Sequence, residues 1–268
     1  MLQAHIPDRI INARLSLLLL QGLLFLLLSF HSSASDHPSP LERFDSTLVV
    51  NIQSVDELIA VTDRLYGKEN RQSLRYAEGV DSLIQWRFVH SYCHYTAKEN
   101  WLAFLAGSMV WSDLSAIVIP GDILRHPTAA CSQQSIVFCA AMKAIGINYR
   151  AIRLRSHFAL EANLDGKWFY FDPTFEPRFP EGRKSLELLI QNGEIETAYQ
   201  HRFGAEPIRR YFSKINYGVP NEHFAYFTSW FHLITRTISW VLPLSLPFFL
   251  LHLLRKKRRT KYADVHTR

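Results

Sequence analysis

Apolar side chains recur at three- and four-residue intervals between residues 131 and 145, where Ile136, Val137, Ala140, Ala144 and Ile145 predict one helical stripe. Gly146 is placed to close that helix. The period then shortens to two. Asn148–Leu154, His157–Ala162 and Lys167–Asp172 read as strands, and Asp165-Gly166 between the last two suits a two-residue hairpin turn.

Upstream, Ser54-Val55-Asp56-Glu57 predicts a capping box opening a helix to about Tyr66 that carries Leu58, Ile59, Val61 and Leu65. A second helix is predicted over Arg71–Tyr95, with Leu83, Ile84, Phe88 and Tyr92 as its buried stripe. Asn100–Trp111 is apolar and helical in pattern, and Ile117–Asp122 follows as a loop leading toward Cys131. Beyond Thr174 come a proline-rich loop over 175–182, a further helix beginning at Ser185–Ile190, and a mixed aromatic segment over 206–220.

Two apolar runs are longer than core helices need. Leu15–Phe30 follows Arg9 and Arg14 and reads either as a signal peptide, cleaved near Ser32-Ser33-Ala34, or as an uncleaved anchor. Ile238–Leu254 leads into Arg255-Lys256-Lys257-Arg258-Arg259 and is expected to be a transmembrane helix whose basic end stays in the cytoplasm. A membrane helix tolerates Pro243 and Pro247 better than a soluble one. The aromatic stretch from His223 to Phe231 fits a collar at the membrane surface. The predicted organisation is a signal peptide or anchor over 1–34, with a linker over 31–40, then a domain over 35–225 with its core at 127–174. A collar and transmembrane helix follow over 226–254, and a basic tail over 255–268. Cations lie on the outer side of both runs, so the domain is expected on the non-cytoplasmic face, periplasmic or extracellular.

Charge agrees with that division. The chain of 268 residues has a formal net charge of +6, yet residues 35–225 hold 20 Lys and Arg against 22 Asp and Glu, a net of −2. The two ends hold 10 against 2, a net of +8. A slightly acidic domain argues against a nucleic-acid partner.

The hairpin places chemistry. With Asp165 and Gly166 as turn residues, Leu164 pairs with Lys167, paired numbers sum to 331, and Ala159 lies opposite Asp172. Alternation then puts His157, Ala159 and Glu161 on one face with Asp172, Tyr170 and Thr174. His157 becomes a diagonal neighbour of Asp172 at roughly 7–8 Å, within side-chain reach. Cys131 sits at the first turn of the predicted helix, where unpaired amides and the helix dipole favour negative charge, a setting suited to a thiolate and to a developing oxyanion. Nucleophile, base and orienting carboxylate make an acyl-transfer set of Cys131, His157 and Asp172.

These residues resemble the transglutaminase-like superfamily. The pieces that carry the resemblance are Cys131 before its helix, Gly146-Ile147-Asn148-Tyr149-Arg150, His157-Phe158-Ala159-Leu160-Glu161, and Asp165-Gly166-Lys167-Trp168-Phe169-Tyr170-Phe171-Asp172-Pro173-Thr174, about fifty residues in all. Ala129 stands where the family often has glycine, and Ala159 where it often has an aromatic; both departures touch the substrate pocket and loop shape. The resemblance implies a papain-like α+β core, with the nucleophile helix packed on an antiparallel sheet. It implies a Cys-His-Asp triad working through a thioester, with no cofactor and no metal. Its substrates would be peptides or other amides, including components of the cell envelope. A second expectation is a non-catalytic binding module of the same fold, using residues 175–182 as a contact surface in envelope or surface-polysaccharide assembly.

Other residues have weaker readings. His90, Cys93 and His94 would share a face of the predicted helix, a three-ligand metal site lacking a fourth member. His126 lies on a loop near the cleft, and Trp101 and Trp111 are candidates for an indole N–H aimed at an oxyanion. Cys131 and Cys139, roughly 12 Å apart along one helix, cannot bridge, whereas Cys93 with Cys139 remains open as a disulfide that would leave Cys131 free.

Overall fold

A computed structural model of the chain describes residues 43–266. The expected N-terminal run 15–30, its cleavage site and the linker 31–40 lie outside the described residues. The described chain is an α+β protein divided into two units: a larger one built from 43–93 and 116–229, and a smaller one from 94–115 with 230–266.

In the larger unit Asp45 caps α1 (Ser46–Asn51) by accepting from Thr47 N. Ser54 caps α2 (Val55–Tyr66) by accepting from Glu57 N. The reciprocal arm of the expected box is shifted by one residue, since the Glu57 carboxylate takes the N–H of Gln53. Helix α3 (Leu74–Arg87) buries Leu83 and Ile84 but ends well before the expected Tyr95. Tertiary hydrogen bonds override the helical period there. The Val89 amide donates to Pro127 O and Ala129 N donates to Val89 O, while the buried Arg87 guanidinium donates to the carbonyls of Ile52, Leu124 and His126. Phe88 is consequently extended, Tyr92 is exposed, and His90, Cys93 and His94 share no helical face. Among the described residues no group of His, Cys, Asp and Glu is placed to hold a metal ion.

The smaller unit holds α4 (Ala97–Met109). Back in the larger unit, α5 (Pro120–Ile123) is one turn, and α6 (Cys131–Ala144) stops before Gly146 as expected, but it is buried on every side from Gln133 to Cys139, while Ala140 of the expected stripe is half-buried and Ala144 exposed. Strands β1 (Asn148–Arg153), β2 (Phe158–Leu164) and β3 (Lys167–Phe171) are antiparallel, with β4 (Asn216–Tyr217) completing the order β3-β2-β1-β4. Leu164 pairs with Lys167 and Leu160 with Phe171, the predicted register. Asp165 and Gly166 take φ of 50° and 77°, the left-handed pair that a tight turn matching sheet twist requires.

Alternation sorts the sheet's neighbours. Phe171 meets Phe138 of α6 with ring centroids 4.9 Å apart, whereas Tyr170 points the other way into a core with Ile152 and Ala159. That second core is covered by α7 (Leu186–Gln191), α8 (Glu194–Tyr199) and α9 (Ala205–Phe212), which contribute Leu186, Leu189, Tyr199 and Ile208. Three motif residues form one brace across the strands. Arg150 pairs with the buried Glu161 while its guanidinium lies 4.4 Å over the Trp168 ring and 4.6 Å over Tyr217.

The C-terminal stretch differs from the sequence reading. One continuous helix, α10 (Tyr226–His266), replaces the separate element expected over 238–254, and it runs through the proline positions 243 and 247. Among the described residues no helix is long and apolar enough to cross a membrane.

Candidate active site

Helix α6 starts at Cys131, and two glutamines in its first turn fix that start. Gln133 is buried and uses both ends of its amide: Oε1 accepts from Ala130 N and Cys93 N, while Nε2 donates to the carbonyls of Cys93 and Ile117. Gln134 donates to Ala129 O and accepts from the Thr174 hydroxyl, which ties the nucleophile's helix to the turn after Asp172. Ala130, the N-cap, has no side-chain acceptor, so apart from the Gln133 bond to Ala130 N the helix start carries no side-chain cap.

β2 begins one residue after His157 and β3 ends one residue before Asp172, so both flank the same end of the hairpin. His157 Nε2 lies 2.8 Å from Asp172 Oδ2. The Cys131 side chain lies near enough to the imidazole to help raise its pKa. The structure therefore pairs His157 with Asp172 and sets Cys131 near the same imidazole.

Asp172 is saturated with donors. Oδ1 accepts from the amides of Thr174 and Phe175, and Oδ2 accepts from His157 and from the Tyr199 hydroxyl at 2.7 Å. Because Tyr199 spends its single proton on the carboxylate, Tyr170 donates to Tyr199 in the 2.8 Å contact between their hydroxyls. Complete burial pushes Asp172 upward, but the facing imidazole and these donors more than reverse that, leaving the carboxyl below its ordinary value. Burial likewise pulls His157 down, and the Asp172 charge and hydrogen bond, with a contribution from Cys131, raise it instead to about 9. The imidazole consequently carries its proton at neutral pH.

An aromatic lid covers the ring. Phe175 stacks on His157 at 4.0 Å and 17°, backed by Phe203 at 4.7 Å and Tyr211 at 5.5 Å. His157 is 3% exposed, whereas Cys131 is half-buried and is the member of the set that solvent reaches.

The remaining candidates lie elsewhere. The Trp101 indole donates to Ser239 O, so its N–H is already spent, and Trp111 is exposed. His126 is a half-buried loop residue whose carbonyl serves Arg87. None of the three cysteines forms a disulfide, with Cys93 and Cys139 buried, so the open Cys93–Cys139 pairing is not formed. Sequence reasoning missed Gln133, Gln134, Phe175 and Tyr199 as supports of the set. The two glutamines were visible as polar residues next to the nucleophile; Tyr199, 27 residues beyond Asp172 on a six-residue helix, carries no local signal.

No family model, no curated protein and no solved structure matches the chain.

Proposed function

We propose that the protein is a membrane-anchored, transglutaminase-like cysteine enzyme that transfers or hydrolyses acyl groups of amides or peptides outside the cytoplasm. The observation that carries this reading is the His157 imidazole held by Asp172 at 2.8 Å, with Cys131 at the start of α6 near the same ring. The Cys131 sulfur, its proton passed to His157, attacks the carbonyl carbon and forms the C–S bond as the C=O π pair moves to oxygen. A proton on the His157 imidazole passes to the leaving nitrogen as the C–N bond breaks, giving an amine and a thioester. In the second half His157, now neutral, takes a proton from water or an acceptor amine that attacks the thioester, and the sulfur leaves. Asp172 holds the Nε2 proton and thereby the tautomer and ring orientation throughout. The first-turn amides of α6 supply donors for the oxyanion.

A second reading is a binding module of the same fold in cell-envelope or surface-polysaccharide assembly. The observation favouring it is the Phe175 ring lying flat on His157, which leaves little of the imidazole open.

Iodoacetamide labelling at pH 7 with peptide mass spectrometry separates the two. The enzyme reading expects Cys131 to be alkylated first and His157→Ala to slow it at least tenfold. Alkylation of Cys131 no faster than of Cys93 or Cys139, or indifference to His157→Ala, removes the enzyme reading.

A further inference from the structure

The smaller unit has its polarity reversed. Along α10 the buried positions are His232, Thr235 and Ser239, at helical spacing of three and four; the His232 ring packs on Tyr95 and bonds Leu114 O, and the other two side chains meet α4. Their partner is Asn100, fully buried, which donates to Thr235 Oγ1 at 2.9 Å and to His232 O, and accepts from the Ser239 hydroxyl. Trp101 adds an indole bond to Ser239 O. Small residues let the chain approach closely: Ala103 is fully buried, and a Cβ on Gly107 would meet Ser115 Oγ at 2.2 Å.

The outside is apolar. Met109 is 80% exposed, Val110 78% and Trp111 61%, and the sequence from Trp101 to Trp111 carries no charge. On α10 Ile234, Val241 and Leu244 are exposed, and Arg236 is the one charged residue between Trp230 and Ser245. A soluble helix pair buries apolar side chains and solvates polar ones. Polar clamps and small residues at the contact, with apolar side chains outside, are what helix association in hydrocarbon requires, since lipid gives no hydrophobic drive to bring apolar faces together. Trp111 and Trp230, both exposed in this unit, suit the headgroup boundary. The cations Arg255 to Arg259 that follow the apolar part of α10 suit anionic headgroups.

We infer that α4 is a second lipid-contacting element: the outer faces of α4 and of the 230–245 part of α10 together sit in the acyl region of a bilayer, clamped to each other through Asn100. Lipid contact of this kind needs no complete span. The inference rests on the membrane location proposed above and extends it to a segment that the sequence pattern assigned to an ordinary helix.

The test uses the full chain with Cys131→Ala, in which Cys93 and Cys139 are buried. An environment-sensitive NBD label is placed at Met109→Cys, Val110→Cys, Leu244→Cys or the exposed Glu187→Cys. The protein is reconstituted in vesicles of phosphatidylcholine and phosphatidylglycerol, with or without phosphatidylcholine brominated on its acyl chains. The expected result is at least a halving of emission by brominated lipid at 109, 110 and 244, with no change at 187. Quenching at 244 but at neither 109 nor 110 overturns the inference and leaves the membrane location standing. Quenching at none of the three overturns both. A blue-shifted label at 109 and 110 that brominated lipid leaves unquenched overturns the inference as well, because protein, either residues 15–30 of the same chain or a second copy, then covers the face.

Discussion

Tyr199 donates its phenolic proton to Asp172 Oδ2 at 2.7 Å, the same carboxylate oxygen that meets His157 Nε2 at 2.8 Å. The carboxylate is therefore held from two sides, and a rotation that would loosen the imidazole would also break the phenol bond. Tyr199→Phe removes that restraint and leaves the buried Tyr170 hydroxyl without its acceptor. The expected cost is about 1–3 kcal/mol in urea denaturation. Tyr170→Phe combined with Tyr199→Phe should recover part of it, since the orphaned hydroxyl is gone. If the phenol also orients the set, the single variant slows Cys131 alkylation several-fold at neutral pH.

The hairpin is legible because its period, its turn dipeptide and its strand lengths all agree; one sum, 331, places His157 beside Asp172 from the sequence alone. Helix α6 is legible in its bounds, though not in its buried face. The end of α3 is not legible. Phe88 to Tyr95 continues a helical apolar stripe in sequence, but the backbone of Val89 is taken by Pro127 and Ala129, and Arg87 needs three carbonyls that only the folded chain assembles. Tyr199 was invisible for a related reason, because its role depends on α8 folding over the second core.

Stability should depend on pH through His157. Its folded value, about 9, lies above the ordinary 6.5. Its contribution is therefore complete below pH 6.5 and is lost as pH rises through about 9. By linkage the difference is worth on the order of 3 kcal/mol. Urea midpoints of the native chain should fall between pH 6.5 and 9.5, and the His157→Gln variant should show a shallower fall over that window. Equal slopes for the two proteins would mean that the imidazole is not held as an ion pair with Asp172.

Gln133 is expected to be structural and positional at once. Gln133→Ala strips partners from Ala130 N and Cys93 N, and from the carbonyls of Cys93 and Ile117. With about 1–3 kcal/mol for a buried group left unsatisfied, and some relief from water, a loss of about 3 kcal/mol is expected. Gln133→Glu keeps the acceptor but sets a carboxylate against two carbonyl oxygens, so it should be no better tolerated. A Glu variant as stable as the native chain would show that the donated bonds carry little.

Arg183 braces the sheet behind Asp172. Its guanidinium donates to Asp81 Oδ2 at 2.6 Å and to Tyr170 O at 2.9 Å and lies 4.5 Å over the Phe171 ring. Asp81 is fully buried, and burial pushes its carboxyl up to about 6 even with the Arg183 charge opposing the rise. A folded value above the ordinary 3.8 means that this group's contribution is present below pH 3.8 and is lost as pH rises through about 6. Arg183→Met removes the opposing charge and leaves a buried carboxylate without its cation, for which about 3–5 kcal/mol is expected at pH 8. At pH 5 the carboxyl can take a proton, so the penalty should be smaller by about 1–2 kcal/mol. Adding Asp81→Leu to Arg183→Met removes the uncompensated charge and should restore most of the lost stability at pH 8. A penalty that is the same at pH 5 and pH 8 would assign the effect of Arg183 to its packing on Phe171 and its bond to Tyr170 rather than to the ion pair.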